Sequence, residues 1–229
     1  MKYSELIKEQ VKLAAKLSLQ DGFTKVKTLG GACCLASHNE IIASVVVCDA
    51  ESLGLLEHKT YVLPQPFPYQ PGLEAYREMP AIMEAFNLLS QEPDVLLVQG
   101  PGVNHPRKVG IAAHLGLALN VPTIGISESL LLGRIEQGKI MVEREIRGFE
   151  IKTKEYARPI YAAPGHLMSL GSTLHFISKT IKPPHKMPEP LHLAHSLARK
   201  KVKGMTVLEA QNLALGATVQ NLATEQQSL

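Results

Sequence analysis

The residue types best suited to chemistry fall in two glycine-bearing loops, each directly behind an apolar run. The first is Gln99-Gly100-Pro101-Gly102-Val103-Asn104-His105-Pro106-Arg107-Lys108, behind Val95-Leu96-Leu97-Val98. The second is Gly125-Ile126-Ser127-Glu128, behind Pro122-Thr123-Ile124. Open α/β sheets take ligands in the loops at the carboxyl ends of their parallel strands. Glycine lets the backbone approach a ligand closely, and His105, Arg107 and Lys108 are side chains that can face a phosphate. A lone Gly-x-Gly of this kind is otherwise an ordinary strand-to-helix turn. The basic run Arg199-Lys200-Lys201 with Lys203 reads as a solvated face.

Those loops converge only if the elements around them form a parallel unit. A short strand at 95–100, a helix over 109–120 and a strand over 122–127 have the spacing of βαβ. Upstream, 4–19 carries a helical stripe, and 28–36 and 41–48 are β-type runs joined by a polar link. A third antiparallel strand fits 57–63. The proline-dense stretch 64–72 excludes helix, and Leu73, Tyr76, Ile82, Met83, Phe86 and Leu89 then repeat at helical spacing. Pro80 is expected to kink or restart that helix just past Glu78. Downstream lie a hairpin over 140–152, a strand over 158–163, and helices over 169–179 and 191–201, with a weak helix or disordered tail over 204–229. Antiparallel strands followed by parallel units give an α/β fold, a mixed five-stranded sheet with helices on both faces. This is the ribonuclease H-like order.

The 229 residues, 45% of them hydrophobic, suffice for one large domain. A net charge of +3 allows a polyanionic partner without requiring one. The three cysteines, Cys33, Cys34 and Cys48, are odd in number and form no C-x-x-C pair, which points to a reducing compartment rather than a disulfide or zinc framework. With no signal-peptide core and no apolar run of spanning length, the expectation is a cytoplasmic protein without a membrane partner. His38, His58, His175 and His185 lie in no motif and read as surface residues; His114 reads as packing.

Longer strings are more specific. FPYQPGLEAYREMP (67–80), PDVLLVQGPGVNHPRKVGIAAHLGL (93–117), VPTIGIS (121–127), PIYAAPGHLMS (159–169) and PEPLHLAH (188–195) occur together and in this order. With them the chain resembles the endonuclease V family from residue 4 to 203, leaving only the tail uncovered. The resemblance implies one domain over 1–203 with 204–229 as a tail. It also implies a Mg²⁺-dependent endonuclease that cuts one phosphodiester beyond a deaminated base, hypoxanthine in DNA or inosine in RNA. Pro68-Tyr69-Gln70-Pro71 matches the family's strand-separating wedge, where the Tyr69 ring can stack on an exposed base. The positions matching the family's base pocket are Pro71, Gly72 and Leu73, then Gly100, Gly102 and His105, then Gly125 and Ile126. Arg107, Lys108 and His166 are expected to extend the nucleic-acid surface. Glu74 stands where the family has an apolar residue.

The resemblance also locates a catalytic metal site, and here the chain departs from it. Cys33 and Gln99 stand where the family has two aspartates, and Glu128 stands where it has a lysine. Glu78, His195 and His105 are kept as the catalytic positions. Mg²⁺ is a hard ion that takes oxygen ligands, mostly anionic, whereas a thiol is a poor ligand for it and an amide offers a neutral oxygen. Glu78 alone remains as a metal ligand. The expectation is a DNA- or RNA-binding protein, or a partner subunit, with cleavage lost or impaired. Two alternatives stay open: an active site rearranged around Glu78 and Glu128, and a soft-metal site of Cys33, His195 and His105.

Overall fold

The structure is a computed structural model, describing residues 2–37 and 39–204. His38 and most of the stretch read as a tail lie outside the described residues. Helix α1 (Tyr3–Ala14) precedes a meander of β1 (Thr28–Ser37), β2 (Glu40–Asp49) and β3 (Leu55–Pro64). The register sets Gly30 opposite Val47 and Cys33 opposite Ser44. β2 is buried along nearly its whole length, as its unbroken apolar run requires.

Helix α2 (Glu74–Asn87) follows, then β4 (Val95–Gln99), α3 (Ile111–Leu119) and β5 (Thr123–Ser127). β4 pairs in parallel with both β1 and β5. The order β3-β2-β1-β4-β5 is therefore the expected mixed, ribonuclease H-like sheet. α2 runs through Pro80 without a break. The ring lies on the exposed side, and burial of Ala81, Ile82, Ala85 and Phe86 holds the helix together despite one missing backbone bond.

The sheet does not stop at five strands. β6 (Arg134–Glu136), β7 (Lys139–Val142), β8 (Glu145–Ile151) and β9 (Ile160–Pro164) extend it to nine, with β9 antiparallel to β5. The hairpin expected over 140–152 is thus part of a four-strand meander. Its first turn is Gln137-Gly138, with φ of 50° and 76°, the paired left-handed backbone of a two-residue hairpin turn. Extension covers the β5 edge and buries Ile140, Ile160 and Ala162.

Side chains alternate between two cores. Ala32, Val45, Leu96 and Val98 face α2 and α3. Leu29, Val95, Leu97, Ile124 and Ile126 face α4 (Leu170–Thr180) and Leu191 of α5 (residues 189–204). At Gly31 a Cβ would stand 2.2 Å from the Pro190 carbonyl, so the start of α5 lies directly on β1. Only glycine permits that approach.

Candidate nucleic-acid and metal site at the strand ends

β1, β4 and β5 run in one direction, so their carboxyl ends share one end of the sheet. Ala32 pairs with Val98, which sets Cys33 beside Gln99 where the two strands part; Gln99 in turn pairs with Ile126. Period-two alternation sends Cys33 and Gln99 to the face covered by α5. Cys33 is fully buried there among Ile42, Val46, Cys48, Ala194 and Ala198, and α5 carries His195 between those alanines. Opposite Cys33, the buried Ser44 hydroxyl has no hydrogen-bond partner.

Glu78 comes from α2, and its backbone carbonyl accepts a 3.6 Å bond from the Cys34 thiol. Burial, reinforced by the Glu74 charge against a smaller opposing pull from Arg77, pushes the Glu78 carboxyl up to about 7. Burial and the Glu78 charge push the Cys33 thiol up to about 12. This corner therefore holds a thiol that burial keeps protonated, a neutral amide and one carboxylate whose charged form burial disfavours. That set does not fit Mg²⁺, which needs several oxygen ligands and anionic charge. Among the described residues no three His, Cys, Asp or Glu side chains are grouped to hold any metal. The soft-metal alternative of Cys33, His195 and His105 is overturned on the same ground. His105 is buried in the loop behind β4, under Gly72.

The anion at 128 is not alone. Lys186 Nζ lies 2.9 Å from Glu128 Oε2, so a cation stands at this position after all, supplied from the segment before α5. That segment is anchored by His185. Its Nδ1 lies 2.7 Å from Glu189 Oε2, and its ring stacks on His192 with centroids 3.5 Å apart. His185 is therefore half-buried and engaged, not the free surface residue its sequence setting implies.

The proline-rich loop and the loop behind β4 meet at Gly72. Arg107 Nη2 donates to the Gly72 carbonyl at 2.6 Å, and Arg107 Nε donates to Gln10 Oε1 of α1 at 2.5 Å. Gln10 Nε2 donates to the same carbonyl at 3.0 Å, and the Gly72 N–H donates to Glu74 Oε1 at 2.9 Å. His105 Nδ1 accepts the Arg107 N–H at 3.3 Å, which assigns its proton to Nε2. That buried nitrogen has no partner; the Gly72 backbone lies alongside without closing a bond of good geometry. Burial, helped by Arg107, lowers His105 to about 4, so the ring is neutral.

A family profile described as Endonuclease V matches residues 11–196. The chain belongs to the Endonuclease V family. An Endonuclease V of Dictyoglomus thermophilum is 32% identical over 206 residues, covering 86% of this chain and 90% of the relative. The crystal structure of Endonuclease V from Streptomyces avermitilis is similar with a TM-score of 0.79 at 27% identity, covering 90% of this chain and 95% of that one. Ciona intestinalis Endonuclease V, solved with a 23mer DNA containing an inosine followed by a ribo-adenosine, gives 0.80 at 25% identity over 89% of this chain and 98% of that one.

Measured against the Endonuclease V resemblance, the structure keeps some assignments open and reassigns others. Tyr69 is 64% exposed, as a stacking wedge requires. Leu73 and Ile126 are buried core residues. The glycines at 102 and 125 serve packing: a Cβ on Gly125 would stand 2.2 Å from the Gly102 nitrogen, and one on Gly102 would stand 2.3 Å from the Pro164 carbonyl. Gly100 likewise abuts Ile111. The backbone of Gly72 is fully engaged within the protein, and Glu74, the departure noted in the sequence, is what takes its N–H. Arg107 does not reach for phosphate but ties α1 to both loops. Lys108 is exposed and paired with Glu145 at 2.8 Å. His166 is buried at the opposite end of the sheet, where Nδ1 accepts the Ser18 N–H at 3.2 Å, so it does not join the nucleic-acid surface. His114 packs edge-on against Tyr76, as expected. No sequence signal marked Lys186, Gln10 or Arg77, whose Nη1 holds the Phe67 carbonyl of the wedge loop at 2.6 Å.

Arg107→Ala should cost about 2–4 kcal/mol, since it removes two charge-assisted bonds and strips partners from the largely buried Gln10 and Gly72. Urea denaturation measures it, and Arg107→Lys should recover little because one ammonium cannot reproduce the fork. A loss below half a kcal/mol would return Arg107 to the surface role.

Proposed function

We propose that this chain binds nucleic acid bearing an inosine-type deaminated base, in DNA or RNA, as one domain over 1–203 in the cytoplasm, and that its cleavage is lost or strongly impaired. One observation carries the second part: of the three residues Cys33, Glu78 and Gln99 at this corner, only Glu78 can supply an anionic oxygen. Metal-assisted hydrolysis needs the ion to activate water and offset charge on the phosphate, and a single carboxylate beside a thiol and an amide holds Mg²⁺ weakly.

The binding part rests on the exposed Tyr69 ring, on the family relative seen with inosine-containing DNA, and on two buried polar atoms left without partners, His105 Nε2 and Asn104 Oδ1. Such atoms in one loop are what a bound base edge would satisfy. Tyr69 stacks on the strand at the lesion, and the His105 loop, locked by Arg107, forms a rigid wall. The rival reading, an active site rearranged around Glu78 and Glu128, is disfavoured because Glu128 is already held by Lys186.

The test uses deoxyinosine and inosine oligonucleotides with Mg²⁺ and Mn²⁺. The expected outcome is salt-sensitive binding, stronger for inosine than for a matched control, without turnover. Robust cleavage refutes the impaired-activity part. If that cleavage disappears in Glu128→Gln, the rearranged site is correct. Absence of binding at low salt removes the nucleic-acid part.

A further inference from the structure

The loop joining β8 to β9, residues 152–159, is unusual in three independent ways. Tyr156 at its tip is 97% exposed. Its backbone is left-handed, with φ of 59°, and the Ala157 N–H donates to the Lys154 carbonyl at 3.3 Å to close the turn around it. A left-handed third turn position favours Gly or Asn; a bulky aromatic there is strained, and a strained residue that buries nothing points to a function outside the fold. The same loop carries Lys152, Lys154 and Arg158 against the single anion Glu155. All three cations are exposed, and none forms an ion pair among the described residues. Together with Thr153 these residues line an open cleft of about 600 Å³, and the Thr153 hydroxyl is buried without a partner.

The position fits as well. Ser127 at the end of β5 pairs with Tyr161 at the start of β9, so this loop stands at the end of the sheet that holds Gln99 and Glu128. The Tyr69 loop leaves β3 at the same end, across the order β3-β2-β1-β4-β5-β9-β8. At about 4.8 Å per strand the two loops flank that end roughly 25 Å apart.

We infer that the 152–159 loop is a second contact surface for single-stranded nucleic acid, with Tyr156 stacking on a base and Lys152, Lys154 and Arg158 following the phosphates. The inference rests on the nucleic-acid reading above and extends it: the strand engaged at Tyr69 continues across the strand ends to Tyr156. An exposed ring accepts any base, and unpaired cations supply the backbone term, the combination that single-strand surfaces use. An acidic protein partner would use the charges but not the ring.

The test is fluorescence anisotropy on the full chain with labelled single-stranded and blunt duplex oligonucleotides, each with and without one inosine. Tyr156→Asn removes the ring and keeps the left-handed backbone, so the melting temperature should hold or rise. It should weaken single-strand binding roughly tenfold and leave the duplex unaffected, while Tyr156→Phe binds like the parent. Changing Lys152, Lys154 and Arg158 together to Gln should reduce the slope of log affinity against log salt by roughly two. Parent-like binding by Tyr156→Asn, or equal losses on duplex and single strand, overturns the inference. So does displacement of the oligonucleotide by polyglutamate at matched charge. If these variants fail while the parent binds, only the second surface is lost; if the parent binds no oligonucleotide, the proposed function falls with it.

Discussion

Cys33→Asp combined with Gln99→Asp should give a protein that melts well below the parent without metal and recovers when Mg²⁺ is added. Cys33 is fully buried, and Glu78 already lies close enough to raise its thiol. Two further carboxylates there place like charges together in a poorly solvated corner, a penalty of about 3–5 kcal/mol when no partner offsets it. For a chain of this size that is roughly 10 °C of melting temperature. Three carboxylates converging at the strand ends would supply the anionic oxygen set that Mg²⁺ takes, so millimolar Mg²⁺ should restore most of the loss through binding linkage. The parent should shift by less than about 1 °C under the same titration. Glu128→Lys does not belong in this pair by itself, because it would set two ammonium groups against each other at Lys186. The charge exchange has to be made as Glu128→Lys with Lys186→Glu. Calorimetry with and without Mg²⁺ decides: a parent that responds as strongly as the variant contradicts the neutral-corner argument, and a variant that never responds shows the corner has lost its geometry too.

Glu78→Gln should stabilise the protein in alkaline buffer and do little in acid. The folded carboxyl titrates near 7, against 4.5 for an ordinary glutamate. The raised value means the folded state keeps a proton that the unfolded chain releases, so this group's relative contribution is complete below 4.5 and declines as pH climbs to 7. Above 7 the whole shift acts against folding, with a ceiling of about 3 kcal/mol. A neutral amide of the same shape removes that dependence. Urea midpoints between pH 4.5 and 8.5 should therefore fall with pH for the parent and stay nearly level for the variant, with the gap widest at pH 8. Parallel curves would mean that water or an unseen cation already solvates Glu78. A catalytic carboxylate poised on a metal should behave in the opposite way, gaining stability from ionisation once the ion is present.

How far the sequence carries depends on the range of the forces involved. Apolar periodicity is local, so β1, β2, β4 and β5 were readable at nearly their observed bounds, and the βαβ step fixed which strand ends face the same way. Residue chemistry is local too. That Cys33 and Gln99 carry no negative charge follows from their identity. Pro80 misled because a proline's local cost is smaller than the burial gained by the helix around it. The nine-strand extent of the sheet was hidden in short, polar strands such as Arg134–Glu136, which exist only because a neighbour supplies their hydrogen bonds. Arg107 looked like a phosphate ligand since nothing in its neighbourhood names Gln10 or Gly72, 97 and 35 residues away. Lys186 returns a cation to Glu128 from 58 residues off, and the exposure of Tyr156 appears only once the chain has turned left-handed beneath it. The sequence determined the bounds of β1, β2, β4 and β5 and the absence of charge at Cys33 and Gln99. The tertiary structure alone decided which charged side chains are consumed by the fold and which are left facing solvent, because pairing between ions depends on distance in space and not along the chain.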